Sequence, residues 1–239
     1  MGKEKRDIYY RKAKEVGYRA RSAFKLLQID EEYQIFEGVH NVVDLCSAPG
    51  SWSQVLASKL NGREGRSDQK NRIVAVDLQE MAPIHGVVSI VGDITSPSTV
   101  QQIFAEFEGS FADLVICDGA PDVTGLHDID EYMQSQLLLS ALNITTNLLR
   151  LGGTFVAKMF RGRDVSLLYS QLRCFFEEVT VAKPRSSRST SSESFVVCRK
   201  FFLPKGFQPS MTALLPNDWY LRISPFPLYN YKSSFQTVA

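Results

Sequence analysis

Gly50, Asp77, Asp93, Asp118 and Lys158 each follow a short apolar run in a chain whose pattern alternates strand and helix from residue 40 onward. One polar residue after one strand is ordinary turn chemistry. Five of them, after successive strands, converge on the edge of a parallel sheet where such sheets bind ligands. Their types suit a nucleoside. Gly50 lets a ligand come close to the backbone. Asp77 is placed to accept hydrogen bonds from ribose hydroxyls or, read as a lone aspartate, to cap a turn. Asp93 is open to two readings of the same kind, an adenine amino group or the helix that follows. Lys158 is the only charge between residues 154 and 160, where both faces of a strand should be covered, so a snorkelling surface lysine is a poor account of it. Asp44 lies within the first apolar run, where a carboxylate is costly unless paired. It is expected to brace the glycine turn through backbone amides.

The elements that must position these residues follow from the pattern. Strands are predicted at 41–46, 73–76, 87–91, 114–117 and 154–157, the last closed by Lys158, with two more at 179–182 and 194–198. Helices are predicted at 51–60, 98–107 and 165–176. Before the fifth strand, Ile129, Met133, Leu137, Leu138, Ala141, Leu142, Leu148 and Leu149 recur at helical spacing. Asp128 and Glu131 are placed as a capping pair for that helix, and Gly152-Gly153 as its stop. Residues 61–71 read as a loop. The result is an α/β pattern, a mostly parallel seven-stranded sheet with helices on both faces. The turn Ala48-Pro49-Gly50-Ser51-Trp52 is neither a G-x-G-x-x-G dinucleotide fingerprint nor a phosphate loop. A cofactor without a pyrophosphate is therefore expected.

Composition narrows the class. With 239 residues, 44% hydrophobic and 22% charged, the chain suits one soluble α/β domain. No apolar run is long enough to cross a bilayer, and no signal-peptide core is visible near the start; a cytoplasmic protein is expected. Four widely spaced cysteines and three histidines argue against a disulfide framework and against any metal site. The net charge of +1 hides an asymmetry: residues 1–25 hold nine Lys/Arg against three Asp/Glu, a net of +6, so the remainder carries −5. Tyr9, Tyr10, Tyr18 and Phe24 interleave with these cations, and Arg161, Arg163, Lys183, Arg185 and Arg188 form a second basic cluster. Basic groups mixed with aromatics suit RNA backbone and unstacked bases.

Three segments carry a resemblance: Asp44-Leu45-Cys46-Ser47-Ala48-Pro49-Gly50-Ser51-Trp52-Ser53-Gln54, Asp118-Gly119-Ala120-Pro121-Asp122, and Phe155-Val156-Ala157-Lys158. Together they resemble the FtsJ/RrmJ-type RNA 2′-O-ribose methyltransferases. The stretches from Lys5 to Leu27 and from Arg161 to Arg188 are similar to the eukaryotic tRNA anticodon-loop branch, and the likeness runs from about residue 3 to about residue 208. It implies a Rossmann-like fold and S-adenosylmethionine as donor. It also implies a catalytic tetrad on Lys25, Asp118, Lys158 and Glu193, and cofactor contacts at Gly50, Trp52, Asp77, Asp93 and Asp118. The implied substrates are tRNA riboses at the wobble position and on the 5′ side of the anticodon loop, with an auxiliary protein subunit selecting the nucleotide.

Within that scheme Lys158 is the base that removes the hydroxyl proton, which a lysine can do only when neutral. Lys25 assists it, and Asp118 and Glu193 orient the two amines. Without the resemblance, Lys25 and Glu193 read as surface residues. The same chemistry on ribosomal RNA or an mRNA cap is the neighbouring reading. A catalytically inactive RNA-binding scaffold is another, though its expected mark is a broken tetrad. Three units are expected: a basic helical RNA-binding segment over 1–30, the methyltransferase domain over 31–208, and a divergent tail over 209–239.

Overall fold

Apolar residues alternate between two layers along each central strand, and that alternation builds the core. A computed structural model describes residues 2–61, 71–122, 124–162, 165–188 and 190–211. The expected loop between 61 and 71, Arg163, and nearly all of the 209–239 tail lie outside the described residues. The elements run α1 (Gly2–Val16), α2 (Ala23–Tyr33), β1 (Asn41–Leu45), α3 (Ser51–Asn61), β2 (Arg72–Asp77), β3 (Val88–Val91), α4 (Pro97–Glu106), β4 (Ala112–Cys117), α5 (His127–Leu148), β5 (Leu149–Phe160), α6 (Val165–Arg173), β6 (Phe176–Ala182) and β7 (Glu193–Phe201). The sheet has seven strands in the order β3-β2-β1-β4-β5-β7-β6. The first five are parallel, and β7 runs antiparallel to both β5 and β6.

On one face, Val43, Val115, Phe155, Ala157 and Val196 pack against α4, α5 and α6. On the other, Val42, Leu114, Ile116, Val156, Phe195 and Val197 pack against Ala23, Leu26 and Ile29 of α2 and Trp52, Val55 and Leu56 of α3. The period of two then assigns the polar positions. Asp44 and Lys158 share the parity of Val42 and Val156, so both point to the face that carries α2 and α3.

Several boundaries differ from the sequence expectation. No loop separates α5 from β5, and Gly152-Gly153 fall inside β5 rather than stopping the helix. Gly152 has φ +78, and the pairing with β4 shifts register between Ala112 and Leu114, so the glycines form a bulge. Lys158 does not close its strand: the ladder with β7 continues to Phe160, opposite Glu193. Asp128 and Glu131 do not form the expected capping pair. The residue ahead of α5 is Leu126, and Asp130 turns back to accept from the Thr124 and Gly125 amides. Those bonds, the Thr124 amide foremost, hold Asp130 below the usual carboxylate range. Glu131 pairs with His127 instead.

Candidate active site

The four tetrad positions come together at one end of the sheet. Lys158 Nζ donates to the main-chain oxygen of Asp118 at 2.7 Å and lies 2.8 Å from its Oδ1. Lys25, from α2, is 2.7 Å from Glu193 Oε2, and Ser187 donates to the other Glu193 oxygen at 2.9 Å. The two ion pairs adjoin. Burial works against the Glu193 charge, but Lys25, Lys158 and the Ser187 hydroxyl outweigh it and hold its pKa below the usual value. Phe195, opposite Lys158 in the ladder, floors the cluster: the Lys25 ammonium is 5.6 Å from its ring centre, and Trp52 packs against it with centroids 5.6 Å apart.

Lys25 and Glu193 are 168 residues apart, and the β6–β7 loop joins them. Ser186 N donates to Gln28 Oε1 and Arg21 Nη2 donates to Ser186 O, while Lys183 Nζ donates to Ser191 O. The first two bonds dock the loop onto α2 and the segment before it, and the third braces the loop internally. A second connection comes from α5. Gln134 is buried, and its amide nitrogen donates to both Gly119 O and Lys158 O. Gln28, Ser186, Ser187 and Gln134 were not singled out from the sequence. Polar side chains in helices and Ser-rich loops carry no local mark of the distant carbonyl or carboxylate they meet.

A cleft of about 310 Å³ lies between the β2–β3 connector and β3 and reaches Asp77 at the carboxyl end of β2. Asp77 and Glu80 supply its acidic groups, and Met81, Pro83, Val87 and Ile90 its apolar walls. Asp77 Oδ2 accepts from Ala48 N and its Oδ1 from Gln79 N, both at 2.8 Å, so the carboxylate ties the glycine turn to β2. Gly50 has φ +101, and a Cβ there would lie 2.7 Å from Arg19 Nη1 and 2.8 Å from Ile84 Cδ1. Asp93 holds its own turn, accepting from the Thr95 amide and hydroxyl. The Trp52 side chain is core: its indole donates to Ser22 O at 2.9 Å and it is almost wholly buried. What Trp52 can offer a ligand is its place in the first turn of α3, not its ring. Apolar walls beside a carboxylate rim, next to a glycine turn without side-chain bulk, fit a purine nucleoside.

Asp44 is fully buried and accepts from Ser53 Oγ at 2.6 Å. Its brace therefore runs to Ser53 in α3, through the hydroxyl with a smaller backbone contribution, rather than to the amides of the glycine turn as expected. Its Oδ1 has no partner among the described residues, and burial, reinforced by Asp118 and Asp77, pushes its pKa up to about 7 against the pull of the Ser53 bond. No cluster of potential metal ligands occurs among the described residues.

The FtsJ-like methyltransferase family matches residues 18–201. A mouse tRNA (cytidine(32)/guanosine(34)-2′-O)-methyltransferase is 63% identical over 91% of this chain and 66% of its own length. A Schizosaccharomyces pombe enzyme of the same description is 61% identical over 88% of this chain and 75% of its own. The chain thus spans 66% and 75% of the length of these two relatives. Among solved structures, a ribosomal RNA methyltransferase from Plasmodium falciparum superposes with a TM-score of 0.68 at 27% identity, covering 77% of this chain and 98% of that one. The family match spans all four residues of the two ion pairs, and the chain belongs to the FtsJ-like methyltransferase family.

Proposed function

We propose that the chain is a tRNA 2′-O-ribose methyltransferase that uses S-adenosylmethionine and acts on the anticodon loop, at the wobble nucleotide and at a nucleotide on its 5′ side. The observation that carries this reading is the Lys158–Asp118 pair next to the Lys25–Glu193 pair, at the end of the sheet where Asp77 lines a nucleoside-sized cleft. The substrates assigned to the mouse and fission-yeast relatives support the choice of tRNA. Asp77, Gly50 and the apolar walls around Met81 and Ile90 would hold the adenosyl portion, with Asp93 beyond them. When bound there, the donor would supply a methyl group already activated by its sulfonium, which would leave as a thioether.

The chain's own work is alignment and proton removal. A neutral Lys158 has two N–H bonds and one lone pair. Its hydrogen bond to Asp118 O holds Nζ in place, with the Asp118 carboxylate 2.8 Å away as an ion-pair partner. So held, Nζ has its lone pair available to take the proton of a ribose hydroxyl. Lys25, braced by Glu193, steers the ribose oxygens. We place the enzyme in the cytoplasm, which suits its four free cysteines, and assign nucleotide selection to an auxiliary protein subunit.

The test is methyl transfer from S-adenosylmethionine to unmodified tRNA and ribosomal RNA transcripts, with and without candidate partner proteins, and ribose methylation mapped by mass spectrometry. Modification confined to the anticodon loop is the expected result. Methylation of the ribosomal transcripts alone would overturn the substrate assignment.

A further inference from the structure

Arg19 lies in the basic N-terminal segment that the sequence offers as an RNA footprint, yet its hydrogen bonds face the cofactor cleft. The segment between α1 and α2 is strapped to α3 by a reciprocal pair: Arg19 N donates to Gln54 Oε1 at 2.8 Å, and Gln54 Nε2 donates to Gly17 O at 3.0 Å. From that anchor the guanidinium reaches two loops at once. Nη1 donates to Pro49 O in the glycine turn at 2.9 Å, and Nη2 donates to Pro83 O in the connector between β2 and β3 at 3.0 Å. Pro83 is itself a wall of the cleft. The bare Cα of Gly50 makes the room, since any Cβ there would overlap Nη1.

We infer that Arg19 is a positioning residue for the donor: a clasp that fixes the glycine turn against the β2–β3 connector and so sets the opening of the cleft. The inference rests on the reading above that this cleft takes S-adenosylmethionine. Two different guanidinium nitrogens reach the two carbonyls, a fixed fork that lysine's single nitrogen does not reproduce. Among the described residues the turn segment also meets the connector through a weaker bond, Ser47 Oγ donating to Met81 Sδ at 3.7 Å. Asp77 links the turn to the end of β2 but not to the connector's far half, where Pro83 stands. Arg21 and Lys25, the next two cations, are likewise turned inward, to Ser186 O and Glu193. The stretch from Arg19 to Lys25 therefore serves the site, and RNA contact falls to α1 and the β6–β7 loop.

The experiment is equilibrium binding of S-adenosylmethionine and S-adenosylhomocysteine, by calorimetry without RNA, to the full chain and to its Arg19→Ala and Arg19→Lys variants. Binding of a tRNA transcript is measured in parallel across a salt series. Both variants are expected to bind both compounds about tenfold more weakly, a loss typical of two charge-assisted hydrogen bonds in a partly exposed setting. The lysine should give no rescue, and tRNA affinity and its salt dependence should match wild type. Cofactor affinities within twofold of wild type in the Arg19→Lys variant, which keeps the charge and most of the bulk, overturn the clasp, whatever happens to tRNA binding. A wild-type chain that binds neither compound overturns instead the proposed function on which the clasp depends.

Discussion

The Lys158 nitrogen is buried, donates to Asp118 O at 2.7 Å and lies 2.8 Å from the Asp118 carboxylate. Burying an amine there is costly unless its nitrogen takes part in the chemistry. Lys158→Ala is expected to slow methyl transfer by roughly 10²–10⁴-fold, the usual worth of a positioned base, with S-adenosylmethionine affinity retained. Lys158→Arg should be no better, because a guanidinium does not give up its proton; turnover near wild type in either variant removes Lys158 from the chemistry. Asp44 makes a second residue-scale prediction, in stability. Its folded pKa, about 7, stands above the ordinary value of 3.8. Between those values the native chain keeps a proton that the unfolded chain releases, so this group's contribution to stability falls as pH rises through that window and is flat outside it. Asp44→Asn removes the effect while keeping an acceptor for Ser53. Its melting temperature relative to wild type should climb from about pH 5 to about pH 8; a constant difference would contradict the assignment. Both residues could be picked from sequence because each is a lone charge in an apolar run. Lys25 and Glu193 could not, since α2 and the start of β7 look like surface until the sheet is assembled.

Helix α5 is more than a cover for the sheet, because Gln134 hydrogen-bonds the main chain just beyond β4 and near the end of β5. It thereby fixes the spacing of the two segments that carry Asp118 and Lys158. Gln134→Leu keeps the volume but leaves two carbonyl oxygens without their donor, which costs about 1–3 kcal/mol each where no water replaces it. The expected outcome is kcat lowered by about tenfold and a displaced pH–rate profile, with KM for S-adenosylmethionine little changed. A loss of stability with an unmoved profile would mean that Gln134 serves packing alone. Elements of this kind mark the limit of what the sequence discloses. The strands and their alternation with helices are legible, because burial on both faces leaves continuous apolar runs in the central ones, and the largely exposed edge strands β3 and β6 still carry β-branched residues. The pairing is not. Gly152-Gly153 would serve equally as a helix stop or as a bulge, and only the register against β4 decides. Nothing local to β7 declares that it runs antiparallel, although that reversal sets Glu193 opposite Phe160, two residues from the Lys158–Phe195 pair.

Across the whole molecule, the basic excess divides by destination. Of the nine cations in residues 1–25, Arg19, Arg21 and Lys25 bond to acceptors within the fold, so a count of charge overstates the RNA footprint. Arg11, Lys12 and Lys14 on α1 remain exposed, as does Arg188 in the β6–β7 loop. That loop is docked on α2 through Ser186 and Arg185, which places its cations on the side of the molecule that carries the Lys25–Glu193 pair. A tRNA loop lying across this side would meet phosphate partners on the approach to the tetrad. Each phosphate contact on single-stranded nucleic acid contributes about 0.7 to the slope of log affinity against log salt. Replacing Lys12, Lys14 and Arg188 together by glutamine should therefore lower that slope by about 2 and weaken binding of all tRNAs alike, since phosphates carry no sequence. The rate at saturating tRNA should hold, because none of the three touches the tetrad. Filter binding of one transcript at several salt concentrations, for wild type and the triple variant, decides it. An unchanged slope would take these residues out of the footprint and leave the positive charge of α1 without a role in substrate capture.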